Sequence, residues 1–181
     1  MSRSAAGRAA TAVLLGLTAL VARADDPCAG FAWDVTQERT LFGTDPQPLA
    51  ASKDPATAPV LVATRLYQLS LGAQTTVTFA TAPARARAID GAYAGLARFT
   101  AETAGVYRIS LDQPFWLDVV AGGESIGSRD FQGRPGCNAP HKIVEFALPA
   151  AVPLVLQFSG AASPALRVTI TRAPGAHDPA T

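Results

Sequence analysis

From Val60 to Thr171 the apolar residues of this chain tend to recur at every second position, and a period of two admits strands and little else. LRVTITR is the cleanest case: Leu166, Val168 and Ile170 fall on one side, and Arg167, Thr169 and Thr171 on the other. RLYQLSL sets Tyr67, Leu69 and Leu71 against Leu66, Gln68 and Ser70, and GVYRISL sets Tyr107, Ile109 and Leu111 against Arg108 and Ser110. FWLDVVA divides Phe115, Leu117 and Val119 from Trp116, Asp118 and Val120. KIVEFAL and LVLQFSG repeat the pattern with Val144, Phe146 and Leu148, and with Leu154, Leu156 and Phe158. TTVTFA (Val77, Phe79) and YAGLARFTA (Tyr93, Leu96, Phe99) read as further strands, and a short one fits between Glu124 and Phe131.

Gly, Pro, Asp and Ser punctuate these segments, as turns between short strands require. One-sided alternation means antiparallel sheets, each with one wet face. Two such sheets packed face to face give the expected fold: an all-β antiparallel sandwich, jelly-roll or Greek-key in order. A short N-terminal helix joins it. In DVTQERTLF, Asp34 is placed to cap a first turn and Gln37 to return the bond, with Gly43 as the stop. TDPQPLAASKDPATAP, residues 44 to 59, reads as a surface loop. The chain of 181 residues then divides into 1–24, a helix and loop over 25–59, one sandwich domain over 60–172 and a tail over 173–181.

Residues 1–24 read as a secretory signal peptide. Arg3 and Arg8 give a basic start, about fourteen mostly apolar residues follow, and Ala22-Arg23-Ala24 presents small residues for cleavage between Ala24 and Asp25. The compartment expected is the periplasm or the cell exterior, by the general secretory route. Removing this segment takes away Arg3, Arg8 and Arg23 and no acid. It leaves 12 basic and 14 acidic residues, a formal charge of −2. Such a surface makes no electrostatic case for nucleic acid, or for a membrane once the signal is cleaved.

Two cysteines, Cys28 and Cys137, lie 109 positions apart. An even pair in an exported chain is read first as a disulfide. Cys137 sits in FQGRPGCNAPHK, which also carries His141 and is rich in glycine and proline. That composition suits a tight turn pinned to the N-terminus. The competing reading is a metal site of Cys137, His141 and Asp130 or Glu145, but pairing Cys137 leaves one histidine plus carboxylates. No cofactor is expected.

GVYRISL, WLDVV, FQGRPGC, KIVEFAL and QFSG, in that order over roughly residues 91–171, resemble a group of small exported proteobacterial proteins of unassigned function. The style is more loosely similar to bacterial pre-peptidase C-terminal domains, small β-sandwich accessories of secreted enzymes. Neither resemblance implies a catalytic residue. Some members of the first group carry a homogentisate dioxygenase label. Non-haem iron in such enzymes takes two histidines and a carboxylate, and this chain offers only His141 and His177.

No G-x-S-x-G elbow is present, and Ser159 falls at a strand end. Asp112, Asp118, Glu124 and Asp130 are read as solvated strand ends, as are Arg108 and Arg167 as cross-strand partners of acids. Binding is the favoured class: a non-enzymatic binding or accessory module for a small molecule, a glycan or a protein. Trp116 and Asp118 are its candidate residues. Strand alternation puts them together on the face opposite the core, where an indole stacks on a sugar and a carboxylate accepts a hydroxyl bond. The alternative, preferred because it gives the helix something to cover, packs Trp116 beneath the N-terminal helix against Trp33, Leu41 or Phe42.

Overall fold

The computed structural model describes residues 26–85 and 90–175. The proposed cleavage point and His177 lie outside them.

A seven-residue helix, α1 (Thr36–Phe42), comes first. The strands follow as β1 (Gln47–Ala50), β2 (Tyr67–Ser70), β3 (Gly72–Ala73), β4 (Tyr93–Thr100), β5 (Gly105–Leu111), β6 (Trp116–Ala121), β7 (Glu124–Ile126), β8 (Ser128–Gly133), β9 (Lys142–Leu148), β10 (Pro153–Ala161) and β11 (Ala165–Arg172). They form a six-stranded sheet ordered β1-β2-β11-β5-β9-β8 and a five-stranded sheet ordered β3-β4-β10-β6-β7. The antiparallel pairs β2–β11, β4–β10, β5–β9 and β6–β7 are nested, each inside the one before. That nesting is the winding of a jelly roll, and it makes the all-β sandwich expected from the period of two.

The core lies between the sheets and is made of the residues the alternation assigned to it. Tyr67, Leu69, Ile109, Leu111, Leu117, Val119, Phe146, Leu154, Leu156, Phe158, Leu166, Val168 and Ile170 are all buried there. Phe99 meets Tyr107 edge-on at 5.6 Å, and Phe115 meets Phe158 at 6.2 Å. Each such side chain contributes about 1.5–3 kcal/mol by leaving water.

Several expectations need correction. Residues 47–50 are not loop: β1 runs parallel to β2, with Leu49 opposite Leu69. Pro48 lacks an amide to donate, which an edge strand tolerates. TTVTFA is not a strand. A 3₁₀ turn takes Gln74–Thr76, and the amides of Ala80 and Thr81 are claimed by the side-chain oxygen of Gln157 at 2.6 and 3.1 Å. In β4 the core face carries Tyr93, Ala97 and Phe99, while the Leu96 side chain faces the other way; the Leu96 backbone pairs at the strand edge with Ser52. The capping box does not form: Val35 is the N-cap, and Asp34 Oδ1 accepts from Thr36 N at 3.0 Å.

The outer faces are also covered. The segment 77–85 reaches across the outer face of the five-stranded sheet through Gln157 and Asp118. α1 covers the outer face of the six-stranded sheet: Glu38, 1% exposed, accepts from Thr171 Oγ1 at 2.6 Å. A helix this short is marginal in water, so its position depends on the sheet beneath it.

Candidate functional site

The stretch FQGRPGCNAPHK forms the turn between β8 and β9, and it is a staple. Cys28 and Cys137 are disulfide-bonded with their Cα atoms 4.9 Å apart. The backbone around them folds back on itself: Cys137 N donates to Arg134 O, and Arg134 N to His141 O. His141 Nδ1 lies 3.1 Å from Cys137 O, while its amide donates to Leu111 O.

The residues considered for a metal are separately engaged. Glu145 accepts from Arg108 Nε at 2.9 Å, and Asp130 Oδ1 accepts from the amide of Phe131 at 2.7 Å. Among the described residues, no three His, Cys, Asp or Glu side chains gather as a metal site. Of the acids read as solvated strand ends, Asp112 binds Arg167 at 3.2 Å, and Asp118 binds Trp116.

Trp116 is not under the helix. It belongs to the five-stranded sheet, whereas α1 packs on β11 of the other. The indole laid on the six-stranded sheet is Trp33, from the segment just before α1, and it lies 4.8 Å from the guanidinium of Arg108. Arg108 is not a solvated outward residue either. It is 5% exposed, bonded to Glu145, 3.6 Å from Glu38, and donates to Asp34 O. Arg167 lies 5.4 Å from the ring of Phe42 and bonds Asp112. Alternation put both arginines on the outer face correctly; what it lacked was the helix laid over them.

Asp118 does not face open water. It is 5% exposed, with Oδ1 accepting from Trp116 Nε1 at 2.8 Å and Oδ2 from Ala84 N at 3.3 Å. It therefore fixes the indole and ties segment 77–85 to β6. Trp116 is half-buried, with the Arg85 guanidinium 5.0 Å and the Lys142 ammonium 5.4 Å from its ring centroid. Both are within range for cation–π attraction.

These residues edge a groove of about 640 Å³ where the two sheets part, between the edge strands β7 and β8. Its position follows from the register. Phe131 stands opposite Val144 and Gly133 opposite Lys142. Val144 faces the core, so Phe131, Gly133 and Lys142 share that inward side. The floor is apolar, from Phe115, Leu117, Val144 and Phe146, with Ile126 on the β7 side. Phe131 is 65% exposed at the mouth. Lys142 donates to Phe115 O at 3.2 Å.

Arg85, Phe131, Lys142 and Ile126 went unremarked as site residues in the sequence. For Lys142 a signal existed: in KIVEFAL it shares the parity of Val144 and Phe146, which makes it an inward-pointing lysine at a strand start. Arg85 gave none, since its place depends on the contact between Ala84 and Asp118.

On the N-terminal strap, residues 26–43, Glu38 is buried but Asp26 and Asp34 are surface groups. Backbone donation from Cys28, then a side-chain bond from Arg39, holds Asp26 below the ordinary aspartate range. Hydrogen bonds from Thr36 do the same for Asp34. Among the described residues, no helix is long and apolar enough to cross a membrane.

Comparison with models of known families, with curated proteins and with solved structures gives no match.

Proposed function

We propose that this chain is an exported, non-enzymatic β-sandwich module that binds its ligand in the groove beside Trp116, in the periplasm or outside the cell. The observation that carries the reading is the groove itself. Its volume falls within the roughly 300–1,000 Å³ of small-molecule sites, and its apolar walls with a few placed polar groups match their usual make-up. Asp118 acts behind the site by holding the indole in place. Export is supported by the basic-then-apolar N-terminal pattern and by the Cys28–Cys137 bond, which persists in oxidising compartments.

The test is a ligand panel of sugars, amino acids and organic acids, read by the indole N–H resonances of Trp33 and Trp116. A Trp116→Phe variant assigns the two signals. Selective movement of the Trp116 signal, lost in Gly133→Val, is the expected result. A Cβ at Gly133 would meet only His141 O, at 3.7 Å, so the valine narrows the groove without forcing the backbone. Binding that moves neither indole, or that Gly133→Val leaves unchanged, overturns the reading.

A further inference from the structure

We infer that the ligand of this groove is a small carboxylate carrying an aromatic or branched apolar body. The inference rests on the groove being the binding site, and it takes its chemistry from where charge and apolar surface lie along the groove.

One end is cationic. The Lys142 ammonium and the Arg85 guanidinium both approach Trp116, at 5.4 and 5.0 Å from the ring centroid. Among the described lining residues the one carboxylate is Asp118, and it is buried behind the indole with Trp116 Nε1 and Ala84 N as its donors. Two cations against that one carboxylate leave a net positive charge among the described lining residues at this end, and an anion is its complement.

The other end is an uncovered ring. Phe131 is 65% exposed, a large apolar side chain left in water at the mouth of an apolar groove. A ligand that covers it removes that surface from water. Phe131 is opposite Val144 and Gly133 is opposite Lys142, so the two ends are two residues apart along β8 and β9. On a strand, that is about 7 Å. A ring and a carboxylate joined by one to three bonds span it. A doubly charged phosphate suits the groove less well: with mostly apolar walls, a single negative charge loses less hydration on entry. Gly133 leaves room for the carboxylate beside Lys142, because no side chain projects there.

The probes are 3-phenylpropionate, its primary amide and phenyl phosphate, titrated at low salt against the full chain. The Trp116 indole resonance is the readout. The acid is expected to bind at least about tenfold more tightly than the amide, the factor that one well-placed charge contact of about 1.4 kcal/mol provides. Lys142→Met and Arg85→Gln should each reduce that preference. Together they should bring acid and amide to within about twofold, with amide affinity unchanged, since the apolar walls remain. Arg85→Gln stays informative if Lys142→Met disturbs the fold through Phe115 O.

Equal affinity for acid and amide, both abolished by Gly133→Val, would overturn the carboxylate and leave the groove standing as a binding site. So would a preference for phenyl phosphate. Acid binding that Gly133→Val does not weaken would overturn the groove itself, and the carboxylate assignment with it. No movement of Trp116 with any of the three probes at about 10 mM, where a Kd of 1 mM corresponds to only about −4.1 kcal/mol, would overturn the carboxylate assignment.

Discussion

Glu38 of α1 and Thr171 of β11 are 133 residues apart in the chain, and their side chains meet at 2.6 Å in a buried hydrogen bond. Arg108 stands beside them, 3.6 Å from the same Glu38 oxygen and 2.9 Å from Glu145. The other oxygen of Glu38 has no partner among the described atoms, nor do the hydroxyls of Ser110 and Thr169, which face each other across β5 and β11. The helix is thus held to the sheet by a polar cluster. A single cation balances two acids there.

Removing that cation is the strongest test. Arg108→Met leaves Glu38 and Glu145 without their counter-charge, and stripping one partner from a buried pair costs about 3–5 kcal/mol. Urea denaturation of the variant should show that loss. Adding Glu38→Met should recover part of it, because the buried charge goes with its partner. A loss below about 1 kcal/mol would place the cluster with surface pairs, which are worth about that much, and α1 would then be loosely held.

Reducing the disulfide should loosen the same strap from its other end. Closing a loop of 109 residues restrains the unfolded chain by about 4–5 kcal/mol in the chain-entropy model. Cys28→Ser with Cys137→Ser should lower the urea midpoint by an amount within that limit. Far-UV β signal should survive, since the jelly-roll pairs lie within residues 67–172. Limited proteolysis should then cut first between residues 28 and 43. A variant that loses its sheet signal would mean that the sandwich cannot form without the staple.

How much of this was legible follows from which contacts are local. The inner faces of β5, β6, β9, β10 and β11 were legible because a strand carries its own period; Ile109, Val119, Phe146 and Ile170 needed no partner to be assigned. The disulfide was legible from arithmetic on two cysteines. The outer faces were not. Arg108, Thr169 and Thr171 read as wet because nothing near them in sequence says that α1 comes to rest there. The Trp116 environment was illegible for the same reason, since Arg85 and Lys142 reach it from segments 31 and 26 positions away.

Acid should loosen the strap before the sandwich. Asp26 and Asp34 are both held below the ordinary aspartate value, by donation from Cys28 and Arg39 and from Thr36. A depressed carboxylate contributes stability that is present above its unfolded pKa and lost as pH falls through the folded one. The loss therefore begins below about pH 4, where unfolded aspartates protonate. Both groups are exposed, so the effect is local. Amide exchange of Cys28 and Thr36, the two backbone donors, should rise on acidification relative to its intrinsic rate, while β10 and β11 stay protected. Unchanged protection of those two amides down to about pH 2.5, well below the ordinary aspartate value, would show that the carboxylate bonds do not hold the strap.

Gln157 is the pin of the opposite cover. It is fully buried on β10; its side-chain oxygen accepts from Ala80 N and Thr81 N, and its amide donates to Thr81 O at 3.2 Å. Its backbone neighbour across the sheet is Asp118, which holds Ala84 N. The two side chains together fix segment 77–85, and that segment brings Arg85 to Trp116. Gln157→Leu keeps the volume but leaves three backbone groups unpaired, at about 1–3 kcal/mol for each one that stays buried. The segment can escape most of that cost by lifting into water. The expected outcome is therefore a modest fall in global stability with a large rise in amide exchange at Ala80 and Thr81, and a weaker grip on any ligand that needs Arg85. If exchange at those amides does not change, the segment is held by other contacts, and Arg85 keeps its place without Gln157.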